Sequence, residues 1–126
     1  MESKTMLPDR TITMPKNQRR SRGFRSGGNR LVEAVGALAE HGILTEHRET
    51  PWASITFAGT RHAMVWFFAG GEAVASGELF VAALPEHEFR IPGCLVADAN
   101  IVEVSSRQLP EPSMTVTVEI LLLDEA

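Results

Sequence analysis

Apolar residues recur at helical spacing in two stretches of the chain, alternate with a period of two in three others, and run unbroken through one more. Leu31, Val35 and Leu38 fall at i, i+4 and i+7 with Ala34 and Ala39 beside them, which predicts a helix over 31–41. Asn29 is placed to cap its start, and Glu33 meets the positive end of its dipole. Gly42 suits the left-handed residue that ends a helix, with Ile43 folding back onto the last turn. Ala73, Gly77, Phe80, Val81 and Leu84 line one face of a second helix over 72–84, which Pro85 ends. Leu79 points away from that stripe. Gly77 costs about 1 kcal/mol against alanine in mid-helix, so a strand is expected to approach it closely.

The stretch 52–68, WASITFAGTRHAMVWFF, holds both tryptophans and three of the six phenylalanines. It reads as a hairpin turning at Gly59-Thr60. In its first strand Ala53, Ile55 and Phe57 share one face, and Trp52, Ser54, Thr56 and Ala58 share the other. A two-residue loop sets His62 opposite Phe57, and a slip of one residue sets it opposite Ala58; the pattern does not choose. Residues 46–51 read as a polar connection into this hairpin. A third strand over 94–106 switches its apolar parity from Leu95, Ala97, Ala99 and Ile101 to Val102 and Val104, which predicts a β-bulge near Asn100. Beyond the loop at Pro110 and Pro112, Met114, Val116, Val118, Ile120 and Leu122 face inward from the last strand. Leu121 and Leu123 make the end of its outer face apolar as well.

The order α-β-β-α-β-β predicts an α+β two-layer sandwich, a four-stranded, mainly antiparallel sheet with both helices on one face. The second strand is apolar on both sides after Arg61 and His62, so it needs cover on both. Two short helices supply one side. A second copy of the chain is expected on the other, through Trp52, Val65, Phe67, Leu79, Leu121 and Leu123, and a homodimer is the favoured assembly.

Length and composition add a compartment and an asymmetry. With 126 residues, 44% of them hydrophobic and 22% charged, the chain is read as one globular domain over 31–126 behind a basic arm over 1–30. Cys94 is the sole cysteine, so neither an intramolecular disulfide nor a thiolate cluster can form. The first thirty residues hold no signal-peptide core, and no apolar run is long enough to span a membrane. A cytoplasmic protein without a membrane partner is expected. The net charge of -4 conceals a split: eight basic and two acidic residues in 1–30 give +6, whereas four basic and fourteen acidic residues in the remainder give -10. Within the arm, Arg19, Arg20, Arg22 and Arg25 are suited to neutralising phosphates and Phe24 to stacking on an unpaired base, as in segments that grip RNA or single-stranded DNA. The acidic body has no basic face to extend that footprint, and the arm reads equally as a solubilising tail or as sequence upstream of a later start at Met6 or Met14.

The search for chemistry returns little. No phosphate loop, dinucleotide glycine pattern, nucleophile elbow or paired metal-ligand motif is present, so neither a cofactor nor a metal is expected and no catalytic residue is assigned. His41, His47, His62 and His87 are scattered, and Glu86-His87-Glu88 reads as a solvated loop. Trp52, His62, Trp66 and Asp98 form a candidate pocket, in which a carboxylate on an apolar strand either faces water or serves as an acid or base. The segments LVADANIVEV and MTVTVEILLLDE resemble the closing hairpin of the hot-dog thioesterases and dehydratases. That resemblance covers two strands, and the family's long central helix and catalytic signature are missing, so it implies no activity. Three functions remain: a non-catalytic assembly or partner-binding module, which is favoured; an arm that binds nucleic acid; and a small-molecule or enzymatic pocket.

Overall fold

A computed structural model describes residues 27–125. Helix α1 (Gly27–Leu38) leads into strands β1 (Ile43–Ala53) and β2 (Ala58–Ala69). Helix α2 (Gly71–Ala83) and a single 3-10 turn (Leu84–Glu86) follow, and strands β3 (Cys94–Arg107) and β4 (Ser113–Asp124) complete the fold. The four strands make one antiparallel sheet in the order β1-β2-β4-β3, and both helices bury their apolar residues against one of its faces. This is the two-layer α+β sandwich that the patterning predicts. Among the described residues no helix is long and apolar enough to cross a membrane.

The central pair, β2 and β4, sets which side of the sheet is core. His62, Met64, Trp66 and Phe68 of β2 are buried and lie beside Ile120, Val118, Val116 and Met114 of β4. Leu31 and Val35 of α1 and Phe80 of α2 complete that layer. The helices come close enough to exclude side chains. A Cβ on Gly77 would stand 2.7 Å from Met114 Sδ and 3.0 Å from Phe68 Cγ, which is the close approach expected there.

Several boundaries depart from expectation, each for a local reason. Helix α1 starts at Gly27, within the stretch assigned to the arm, so Asn29 is a helical residue and not the cap. Glycine is a poor helix former, but a Cβ on Gly27 would stand 2.6 Å from Cys94 Sγ and one on Gly28 3.1 Å from His62 Cε1. At the other end His41 takes the left-handed conformation (φ 67°) expected of Gly42. Gly42 is instead pressed against Phe68, whose Cε2 would lie 2.7 Å from an added Cβ.

The hairpin turn falls at residues 54–57, not at Gly59-Thr60. Ser54 N donates to the Phe57 carbonyl at 2.7 Å, and Phe57 N donates to Ser54 Oγ at 3.1 Å, so one serine closes the loop from both sides. The polar segment 46–51 is therefore the middle of β1. As an edge strand, β1 has one side without a sheet partner and accommodates both its charges and Pro51. In β3 the parity switch after Ile101 is produced by an irregularity between Ile101 and Glu103, and a second one between Val96 and Asp98 switches parity earlier, so that Leu95 does not share the face of Ala99 and Ile101. They leave Val96, Ala99, Ile101 and Val104 paired with the core-facing residues of β4.

Candidate functional site

The corrected register changes what His62 faces. It pairs with Glu49, and His47 pairs with Met64, so His47 and Glu49 project from alternate positions of β1 onto the helix-covered face beside His62. His47 Nε2 lies 2.9 Å from His62 Nδ1, with the two rings stacked at 24° and 5.1 Å between centroids. One nitrogen of the pair carries the shared proton. Glu49 Oε2 stands 4.0 Å from His47 Nε2, and the ligand-type atoms of all three residues fall within 4.8 Å of one another. The first turn of α1 lies against this cluster, because a Cβ on Gly28 would be 3.1 Å from His62 Cε1 and 3.8 Å from Glu49 Oε2. Burial pushes the His62 pKa down to about 4, and the neighbouring His47 adds to the depression. Burial likewise lowers the pKa of His47, against an opposing pull from the Glu49 carboxylate. Both imidazoles are therefore neutral near pH 7.

The candidate pocket residues divide between the two faces. His62 and Trp66 are buried under the helices, and the Trp66 indole meets Phe80 edge-on at 6.4 Å. Trp66 Nε1 is buried and finds no acceptor among the described residues. Trp52 pairs with Gly59, and Asp98 pairs with Leu121, which puts both on the opposite face. Asp98 accepts a 2.8 Å hydrogen bond from Asn100 Nδ2 at an exposed position. These four side chains do not line one cavity. An open depression of about 740 Å³ lies elsewhere, framed by residues 85–96 and Glu125, with His87 and Phe89 in edge contact on its wall.

The expected interface residues are also separated. Along one row of the face opposite helices α1 and α2 the strands contribute Trp52, Gly59, Leu123 and Leu95. Leu121 and Leu123 are buried yet stand apart from the main core cluster. Arg61, Asp98, Arg48, Glu119 and Asn100 make the next rows polar, and Val65 and Phe67 lie beyond them at the far end of the same face. Leu79 is 73% exposed on the outer side of α2, in the opposite layer. The arm residues Arg19, Arg20, Arg22, Phe24 and Arg25 lie outside the described residues.

Sequence reasoning missed the His47–Glu49–His62 cluster. Its signal was the spacing His-x-Glu on a strand, legible only once that strand is known to pair with His62. The fold and site thus define a two-layer α+β protein with a part-buried histidine pair on one sheet face and an apolar corner on the other. No family model, no curated protein and no solved structure matches the chain.

Proposed function

We propose that this chain is a non-catalytic assembly module whose sheet meets a second copy of itself through the helix-free face. The contact is centred on Leu95 and the hairpin-loop residues Ile55 and Phe57, beside Trp52. One observation carries the reading: Ile55 is fully exposed and Phe57 is 52% exposed at the loop that adjoins the row Trp52–Gly59–Leu123–Leu95. Apolar side chains clustered at one corner of a sheet mark an interaction surface, where single scattered ones would not. The occupant is a second copy because the same face carries acids and bases side by side. Arg61 lies 3.9 Å from Glu119 and Arg48 3.3 Å from Glu46, so these charges are paired within one copy and a second copy need not meet them unpaired. Light scattering of the full chain at micromolar concentration tests this. A mass twice that of the chain is expected, and a monomer throughout that range rejects the reading.

A further inference from the structure

We propose that His47, Glu49 and His62 bind one divalent first-row transition-metal cation through two imidazole nitrogens and a carboxylate oxygen. This site lies on the helix-covered face and is independent of the assembly surface. Two nitrogens bound to one ion at about 2.1 Å stand roughly 3.4 Å apart in a tetrahedral shell and roughly 3.0 Å apart at the right angle of an octahedral one. His47 Nε2 and His62 Nδ1, at 2.9 Å, already have the second spacing. Glu49 Oε2 is 4.0 Å from His47 Nε2 on a side chain that is 58% exposed. An inward swing of roughly 1 Å brings it to ligand spacing.

The sheet supplies the placement. Two ligands come from alternate residues of β1 and the third from the β2 residue directly across from Glu49, so none depends on a loop. In the absence of an ion, the two imidazoles share a proton; when a cation takes its place and accepts both lone pairs, the ring that donated that proton gives it up to solvent and takes one on its other nitrogen, so both rings stay neutral. Imidazole with a single carboxylate suits zinc, cobalt, nickel, iron or manganese, whereas calcium and magnesium call for oxygen shells. Three protein ligands leave positions for water or a small oxygen donor. The positive end of α1, packed against the cluster at Gly28, offsets part of the attraction supplied by Glu49.

The test uses the full chain stripped of metal with a chelator, titrated with zinc by calorimetry and with cobalt by visible absorption. One ion per chain is expected, with cobalt bands distinct from those of the aqueous ion. Glu49→Gln and His47→Gln are each expected to weaken binding by at least roughly tenfold, the scale on which even outer-shell partners act. His87→Gln, on the separate loop, is expected to leave binding unchanged. Glu49 is exposed, so its variant stays folded and carries the decision even where a His62 variant does not fold. A cobalt spectrum that remains that of the aqueous ion overturns the proposal, as does binding that survives both the Glu49 and His47 changes.

Discussion

Cys94 stands where β3 begins, paired with Asp124 of β4 and so close to α1 that residue 27 has no room for a side chain. Burial raises its thiol pKa above the usual 9.0, and the carboxylates of Asp124 and Glu125 raise it further, since all three disfavour the thiolate. The pH profile of its alkylation should therefore have a midpoint above 9.0, and Asp124→Asn should move that midpoint down. A midpoint at or below 9.0, or one indifferent to Asp124→Asn, contradicts this account of the site. The same crowding explains Gly59. A Cβ there would run into the Leu122 carbonyl and come within 2.8 Å of Leu123 Cα, so the β2–β4 pairing itself demands glycine at that position. Residue-level patterning sees such glycines as punctuation; packing shows them to be points of contact.

Strand β4 and strand β3 respond differently to truncation because one is central and the other an edge. Ile120 is fully buried in β4, and Ile120→Ala should cost about 2–5 kcal/mol of stability by denaturant unfolding. Val102 is 54% exposed at a β3 irregularity, so Val102→Ala should stay within about 0.5 kcal/mol. Equal losses at the two positions would contradict the assigned core. The central strands were legible in the sequence because buried Met114, Val116, Val118 and Ile120 alternate with Thr115, Thr117 and Glu119 in β4, and because β2 is an apolar run of strand length. Strand β1 was not, because an edge strand keeps Glu46, Arg48 and Pro51 without penalty and so reads as a loop. Apolar Ile55 and Phe57 then drew the strand assignment into what is the turn, and a serine side chain, not the glycine, closes that turn. The error propagated. With His62 set opposite Phe57 or Ala58, Glu49 and His47 could not be seen to meet it, and the candidate metal site stayed hidden.

The whole molecule divides its labour by face. Both helices, the main core and the histidine pair lie on one side of the sheet. The other side carries an apolar corner, a mixed-charge middle and the Val65–Phe67 end. The doubly apolar character of β2 follows from its central position, since its even residues enter the core and its odd residues face the side without helices. Leu79 stands on the outer surface of α2, in the layer opposite Trp52, and a two-fold contact through the hairpin corner leaves it outside. Self-association through the corner therefore makes a directional claim that one measurement decides. Sedimentation velocity at micromolar concentration compares the full chain with Ile55→Asp/Phe57→Asp and with Leu79→Asp. The account predicts a dimer that the hairpin substitutions convert to a folded monomer and that Leu79→Asp leaves intact. A dimer that survives the hairpin substitutions, or one that dissolves only on changing Leu79, contradicts it.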